Sequence, residues 1–230
     1  MQTEFSLIPP TIPVAGRDRS FPVRRIYCVA RNYAEHAREM GSSGREAPFF
    51  FMKPADAVLP VPAGATGRMA YPAKTADLHH EVEMVVAIGL GGRDIAAAAA
   101  HRHIYGYAVG LDMTRRDLQA ELKRQGRPWD LAKGFDQSAP VGAIHPVADT
   151  GHPQRGAIRL EVNGAARQQG DLSDMIWSVP EIVAILSEYF ALQAGDLIFT
   201  GTPAGVDAVQ RGDLLVGGVE GLGELSVAIA

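Results

Sequence analysis

The chain has 230 residues, of which 47% are hydrophobic and 21% are charged. This length is enough for one domain with a substantial core, and the composition is ordinary for a globular protein. With 22 Lys and Arg against 26 Asp and Glu, the net charge of -4 excludes the basic surface typical of nucleic-acid-binding domains.

The cysteine content and the N-terminal residues indicate the cellular compartment. Cys28 is the single cysteine, so the chain has no intrachain disulfide, and its apolar neighbours predict a buried, inert thiol. Residues 1–13 contain an acidic residue and prolines where a signal peptide would have a basic and then an apolar region. No apolar stretch reaches the roughly 18 residues of a membrane span. We therefore expect a cytoplasmic protein without a membrane partner.

The N-terminal part of the chain predicts an arm, a strand and a helix. Residues 1–22 are rich in proline and polar residues, which predicts an extended arm. Residues 24–30, which are apolar after two arginines, predict a strand. Asn32 and Glu35 have the spacing of a capping box, which predicts a short helix that runs to about Met40 and ends at Gly41.

The middle of the chain mixes short strands with helices. The apolar segments 48–53, 81–88 and 104–111 predict strands, and residues 54–75 predict turns with short strands. The alanine run of residues 95–103 predicts a helix. Residues 114–125 predict another, with Thr114 as its N-cap and Asp117 three residues on.

The C-terminal third predicts strands around one amphipathic helix. Strands are predicted at residues 158–162 and 197–200, and glycine-rich residues 212–230 predict closely turning strands. Apolar residues at helical spacing predict a helix at 178–192. Because strands outnumber helices and do not alternate with them regularly, we expect a β-rich α+β fold with peripheral helices, in one domain over residues 23–230.

Two carboxylates share one face of a predicted strand. In Glu81-Val82-Glu83 the acidic side chains point the same way, because strand residues alternate between faces. Two like charges about 7 Å apart beside an apolar strand are costly unless something neutralises them. A solvated strand end is the alternative interpretation.

Asp112 follows a second apolar strand and favours a metal site. Gly106 and Gly110 share its face, which predicts room for a ligand to approach the backbone. Three hard oxygen ligands from Glu81, Glu83 and Asp112 suit Mg²⁺, Mn²⁺ or Ca²⁺ better than Zn²⁺. The adjacent His79 and His80 lack the His-Glu-x-x-His spacing of zinc proteases, so we expect them to be structural or to support the ligands.

Polar residues after Asp112 could bind an anionic substrate. Arg116 and Gln119 are three residues apart and share a helix face, and Lys133 follows the helix. A guanidinium and an amide are good partners for carboxylate and keto oxygens. Each of these residues taken alone is more consistent with an ordinary surface position, and their clustering after Asp112 favours the functional interpretation.

Two further patterns are weaker by themselves. His36 and Glu39 are three apart, so the carboxylate could orient the imidazole and raise its basicity for water activation; an ordinary surface contact is the alternative. Thr200-Gly201-Thr202-Pro203 after a strand could bind an oxyanion or form a plain tight turn.

These segments together resemble a known family. The chain is similar to the fumarylacetoacetate hydrolase (FAH) superfamily over residues 24–230. The resemblance is carried by residues 27–33, by His79-His80-Glu81-Val82-Glu83, and by residues 110–119 and 200–206. Within the superfamily the chain resembles bacterial fumarylpyruvate hydrolases of the gentisate route and the acylpyruvase branch, and residues 48–56 favour the former. Ala30 departs from the glycine that relatives often have.

The resemblance implies a mixed β-roll fold, a homodimer and a Mg²⁺ or Mn²⁺ ion, which Ca²⁺ could replace in crystals. Glu81, Glu83 and Asp112 match the metal ligands. His36 and Glu39 match a water-activating pair on a lid. The positions that match substrate contacts, with Lys133 also catalytic, are Arg116, Gln119, Lys133 and Thr200.

The implied function is hydrolysis of a C–C bond in a 2,4-dioxo acid. The expected substrate is a small keto acid, with fumarylpyruvate giving fumarate and pyruvate in aromatic catabolism. Oxaloacetate decarboxylation and hydroxydienoate isomerisation are alternatives that keep the metal and change the bond. A keto-acid-binding protein without catalysis is a third alternative, and the His36 and Glu39 pair argues against it.

Overall fold

The computed structural model describes residue 4 and residues 6–35 and 45–230. The helix predicted from Asn32 therefore falls largely on residues 36–44, which lie outside the described part of the chain. Among the described residues, no helix is long and apolar enough to cross a membrane.

Short strands dominate the described chain. In sequence order they are β1 Thr11–Pro13, β2 Ser20–Pro22, β3 Arg25–Ala30, β4 Phe49–Lys53, β5 Val58–Pro60, β6 Thr66–Met69, β7 Leu78–His79, β8 Val82–Ile88, β9 Ile104–Leu111, β10 Thr114–Arg115, β11 Ala139–Val141, β12 His145–Pro146, β13 Ala157–Val162, β14 Ala165–Asp171, β15 Asp196–Phe199, β16 Ala208–Val209, β17 Leu214–Val219 and β18 Gly223–Ile229.

Helices are short and lie between these strands. Within the described residues, the α-helices with complete bounds are α1 Arg116–Arg124, α2 Asp130–Lys133, α3 Val147–Thr150 and α4 Val179–Tyr189. Three 3₁₀ turns are described as well, at Ala55–Ala57, Ala97–His103 and Leu172–Asp174. The β-rich α+β class expected from the sequence is confirmed.

Two larger sheets build the domain. One has the order β4-β3-β15-β8-β9-β11-β5, with β12 also paired to β9. The other has the order β14-β13-β17-β18-β6. Strands β8 and β9 are antiparallel neighbours near the middle of the larger sheet, so the residues that follow β9 lie beside those that precede β8.

The main core lies between these two sheets. Val82 and Met84 of β8 belong to it, as do Leu160 of β13 and Leu225 of β18. Each such side chain contributes about 1.5–3 kcal/mol when fully buried. Val85 and Ala87 of β8 belong to a second apolar cluster on the far side of the larger sheet. This alternation confirms that Glu83 points away from Val82 and Met84.

The N-terminal segment is more structured than an extended arm. Strands β1 and β2 form an antiparallel hairpin, and Ile12 and Phe21 are buried in the second apolar cluster beside Cys28 and Phe199. The reason is that this proline-rich segment still carries apolar residues at alternating positions. The domain boundary at residue 22 stays a prediction. Cys28 is fully buried, as predicted.

Two of the predicted helices differ from the structure. Thr114 is not an N-cap, because it belongs to β10 and its hydroxyl donates to the Asp112 carbonyl (3.1 Å) while α1 begins at Arg116. The Asp117 carboxylate instead accepts hydrogen bonds from the loop at Thr75. The alanine run forms a 3₁₀ turn rather than an α-helix. Helix α4 matches its prediction, with a capping box at its start.

Candidate active site

Three carboxylates meet where β8 begins and β9 ends. Glu81 immediately precedes β8, Glu83 pairs with Gly110 of β9, and Asp112 follows β9. The Asp112 N–H donates to the Glu81 carbonyl (2.8 Å), which fixes the two strand ends against each other. One carboxylate oxygen from each of the three residues lies within 4.8 Å of the others, and all three side chains are buried.

Cations surround these carboxylates. Lys133, at the end of α2, donates to Glu81 Oε2 and to Asp112 Oδ2, at 2.8 Å in each case. Arg116, at the start of α1, donates to Glu81 and to the Gln119 amide oxygen. Burial disfavours the charged form of Lys133, yet the negative charges of Asp112 and Glu81 outweigh this effect and raise its pKa.

A buried lysine completes the group. Lys53, the last residue of β4, is 1% exposed, and its Nζ lies 2.8 Å from Asp112 Oδ1. The same ammonium donates to the main-chain carbonyls of Met113 and Lys133. Sequence reasoning missed this residue, because a lysine that ends the strand Phe-Phe-Phe-Met-Lys looks like an ordinary solvent-facing strand end.

Glu83 carries the electrostatic cost of the cluster. Its Oε2 accepts a hydrogen bond from the Gly201 N–H (2.6 Å). Burial, together with the charges of Asp112 and Glu81, nevertheless raises the pKa of Glu83 well above its ordinary value. A cation in contact with this carboxylate would remove that penalty.

The donor set fits a hard divalent cation. Asp112 Oδ1 is buried and accepts no hydrogen bond from the described residues, although Lys53 lies close to it as an ion pair. Three buried carboxylates whose oxygens lie within 4.8 Å of one another repel each other, and a divalent cation between them would remove that repulsion. Mg²⁺ and Mn²⁺ prefer carboxylate oxygens and retain positions for water or substrate.

The carboxylates form one wall of a cleft. The room in it for water-sized molecules is about 30 Å³, and the cleft opens to solvent beyond that space. Arg116, Gln119 and Lys133, all predicted as substrate contacts, line it. The Gln119 amide oxygen is used by Arg116, so its N–H groups remain as donors for a ligand oxygen.

The turn after β15 also lines the cleft, but through Gly201 and Thr202 rather than Thr200. Thr200 is fully buried, and its hydroxyl donates to the Met84 carbonyl (2.8 Å). Its role as a substrate contact stays a prediction that this arrangement does not favour. Thr202 donates to the Val82 carbonyl (2.7 Å) and so ties the turn to the start of β8.

Gln168 of β14 links the start of β8 to the turn after β15. Its amide oxygen accepts from His80 Nδ1 (2.9 Å) and from the Val82 N–H (3.1 Å), and its amide nitrogen donates to Thr202 Oγ1 (2.7 Å) and the Pro203 carbonyl (2.8 Å). No signal in the sequence could have found it, because Gln168 belongs to a polar segment that does not read as a strand.

The two histidines support the site. Burial lowers the pKa of His80, which keeps its imidazole neutral beside Gln168. His79 Nε2 lies 2.9 Å from Asp77 Oδ1, and its Nδ1 accepts from Arg116 Nε (3.4 Å). His79 thus helps to orient the guanidinium that contacts Glu81. Neither histidine belongs to the carboxylate cluster found among the described residues.

The expectation about the two glycines of β9 was wrong. A side chain at Gly110 would lie 2.8 Å from the ring of Phe199, and one at Gly106 would collide with the His145 carbonyl. The space beside these residues is therefore filled by the protein itself. The lack of a side chain at Gly106 and Gly110 allows neighbouring strands and side chains to pack closely, and it leaves no space for a ligand.

His36 and Glu39 lie outside the described residues, so their assignment as a water-activating pair stays a prediction. Arg31, which sequence reasoning treated only as part of a motif, lines the cleft. Phe51 and Trp129 provide apolar lining, with ring centroids 5.9 Å apart.

Comparison with known proteins gives a consistent result. Residues 25–230 match the family model described as fumarylacetoacetate (FAA) hydrolase, C-terminal. A crystal structure of fumarylpyruvate hydrolase from Pseudomonas aeruginosa, in complex with Mn²⁺ and pyruvate, is 54% identical, with a TM-score of 0.98 over 100% of this chain and 99% of that one.

Two curated relatives differ in their named activities. Fumarylpyruvate hydrolase from Ralstonia sp. is 47% identical over 184 residues, which is 80% of this chain and 93% of the relative. Oxaloacetate tautomerase YcgM from Escherichia coli (strain K12) is 42% identical over 196 residues, which is 85% of this chain and 88% of the relative.

Proposed function

Because the chain belongs to the fumarylacetoacetate hydrolase family, we propose that it is a metal-dependent hydrolase that cleaves fumarylpyruvate to fumarate and pyruvate. The observation that carries this proposal is one cleft in which three buried carboxylates lie within 4.8 Å of one another and Lys133, Arg116 and Gln119 line the same space. The structural relative with Mn²⁺ and pyruvate supports the same substrate class.

Glu81, Glu83 and Asp112 would hold Mg²⁺ or Mn²⁺. Bound there, such an ion supplies Lewis-acid and template chemistry for the carboxylate and 2-keto oxygens of a 2,4-dioxo acid. The residues around the proposed ion site have separate roles. Gln119 donates to the substrate through its free N–H groups, and Arg116 and Lys133 hold positive charge where the pyruvate portion becomes negative.

Hydrolysis also needs an activated water molecule. In the proposed mechanism Glu39 orients His36, which takes a proton from water, and the resulting hydroxide attacks the C4 carbonyl. The C3–C4 bond then breaks. Its electron pair forms the enolate of pyruvate, and C3 is protonated to give the second product. One water molecule is consumed, and fumarate and pyruvate leave.

Oxaloacetate tautomerisation is a second candidate, favoured by the 42% identity to the Escherichia coli relative. That reaction moves a proton and breaks no C–C bond, so it does not require water to be activated. The other two alternatives, oxaloacetate decarboxylation and hydroxydienoate isomerisation, likewise require no C–C hydrolysis.

The deciding experiment compares substrates on one metal-loaded preparation. Fumarylpyruvate and oxaloacetate are each incubated with the protein and Mg²⁺, and fumarate, pyruvate and the enol form are quantified by chromatography and ultraviolet absorbance. Equimolar fumarate and pyruvate support the hydrolase. Enol–keto exchange of oxaloacetate without fumarylpyruvate cleavage would show that the protein is a tautomerase and not a hydrolase. No turnover of either substrate with bound metal would favour a binding protein.

The homodimer, the cytoplasmic location and a place in gentisate catabolism are part of this proposal. Light scattering of the purified protein would measure the oligomeric state, and fractionation of the source cells would locate it. Growth on gentisate after deletion would test the route.

A further inference from the structure

One cation that lines the cleft has no acidic partner in the described part of the chain. Lys133 and Arg116 are both held by Glu81. The side chain of Arg31 lines the same cleft, and among the described residues it makes no ion pair and no hydrogen bond. A half-buried guanidinium with five donors and no protein acceptor is suited to an anionic ligand.

The backbone that carries Arg31 is held in an unusual conformation. Arg31 has φ +56°, in the left-handed region that non-glycine residues rarely adopt. The next residue, Asn32, fixes this turn, because its side chain donates to the carbonyls of Trp177 (3.0 Å) and Thr200 (2.7 Å) and accepts from the Trp177 N–H (2.7 Å). Such a locked, strained position is typical of functional sites.

Gly201 lets the turn at Arg31 approach the turn that follows β15. Gly201 has φ +98°, and a side chain there would lie 2.7 Å from the Asn32 Cβ. The N–H of the same Gly201 donates to Glu83. The Arg31 turn and the proposed metal site are therefore built on one pair of packed turns, and the position of one constrains the other.

The charge of the cleft indicates what it accepts. Three acidic residues, Glu81, Glu83 and Asp112, and three cations, Arg31, Arg116 and Lys133, line it among the described residues. Lys53, which pairs with Asp112 from behind the wall, adds a fourth cation, so a bound divalent ion would give the site an excess of positive charge. That excess matches a substrate with two carboxylates better than one with a single carboxylate.

We infer that Arg31 binds the distal carboxylate of the acyl arm and so selects dicarboxylic acylpyruvates. This inference rests on the proposed function. The metal end of the cleft takes the pyruvate portion, and the conjugated acyl chain passes the apolar surface of Phe51 and Trp129. Arg31 then receives the carboxylate that ends the chain, through paired N–H groups.

The test uses two substrates that differ only at that end. Fumarylpyruvate carries the distal carboxylate, and crotonylpyruvate carries a methyl group in its place. Steady-state kinetics are measured with Mg²⁺ for the wild type, Arg31→Met, Arg31→Gly and Arg31→Lys. Arg31→Gly relieves the left-handed backbone and so guards against a folding defect. Arg102→Met, at an exposed arginine in a 3₁₀ turn, is the matched control.

Removal of a charge-assisted contact should raise the KM for fumarylpyruvate by about 10- to 100-fold in Arg31→Met and Arg31→Gly, with kcat within about threefold. The KM for crotonylpyruvate should stay within about twofold of the wild type, and Arg31→Lys should lie between. Equal losses on both substrates, or no loss, would overturn the inference and leave the hydrolase intact. A wild type that cleaves neither substrate would overturn the proposed function and, with it, this inference.

Discussion

Replacement of Lys133 by Met should have opposite effects on stability and on metal affinity. The ammonium joins two buried carboxylates, at 2.8 Å from Glu81 Oε2 and 2.8 Å from Asp112 Oδ2. Methionine has a similar length and no charge, so both carboxylates lose their shared partner. Removal of one member of a buried ion pair costs about 3–5 kcal/mol, and we expect a loss of this size in the metal-free variant.

The same substitution removes a cation that repels the metal. Unit charges 4 Å apart interact by about 4 kcal/mol at the effective dielectric of a protein surface. Even a fraction of that energy amounts to about a tenfold gain in metal affinity, or about 1.4 kcal/mol. Metal should therefore stabilise Lys133→Met more than the wild type, while kcat falls because the charge next to the developing enolate is gone.

Urea unfolding with and without Mn²⁺, and calorimetric titration of Mn²⁺, measure the two effects. Lys123→Met is the control, because Lys123 is an exposed lysine of α1, and it should change neither quantity. If Lys133→Met weakened Mn²⁺ binding, or cost less than about 1 kcal/mol in the metal-free protein, then the ammonium would not be balancing the carboxylates, and this reasoning would be wrong.

The remaining predictions concern Gly201, the proposed metal ligand Glu83 and the side-chain amide of Gln168. Gly201→Ala should cost more than Gly212→Ala in urea unfolding, since both have positive φ but only the former meets Asn32; equal costs would refute the packing argument. Because the pKa of Glu83 is raised above its ordinary value of 4.5, protonated Glu83 should stabilise the metal-free protein at pH values below 4.5. This stabilisation should be lost as the pH rises through the raised pKa. Metal binding should accordingly release a proton and tighten with pH, whereas calorimetry showing no dependence on buffer ionisation heat would contradict this. Gln168→Met should lose about 2–4 kcal/mol, because four hydrogen bonds vanish; a loss below about 1 kcal/mol would show that they are not needed.

Much of the fold follows from local patterns in the sequence. Strand β9 has the bounds 104–111 that its apolar run predicts, and α4 begins at the capping box of Ser178 and Glu181. Period-two alternation placed Glu81 and Glu83 on one face, and a strand ending at Asp112 was sufficient to suggest that the three would meet. These features depend on neighbours in sequence, so one sequence reveals them.

Long-range partners could not be predicted in this way. Strand β14 consists largely of polar and small residues, so nothing marks it as a strand, and the partners of Gln168 are separated from it by more than 30 residues. Thr114 has the residue type and spacing of an N-cap, but its pairing with β7 takes precedence. The left-handed backbone of Arg31 and the burial of Lys53 likewise follow from tertiary packing, which local propensity does not encode.

The central claim is that Glu81, Glu83 and Asp112 bind the divalent ion on which cleavage depends. One measurement tests it directly: Mn²⁺ is titrated into metal-free wild type and Glu83→Gln, while bound Mn²⁺ and fumarylpyruvate cleavage are followed in the same samples. We predict one bound ion per chain, activity proportional to occupancy, and loss of both in Glu83→Gln. Cleavage without bound metal, or Glu83→Gln with unchanged Mn²⁺ affinity, would contradict the account.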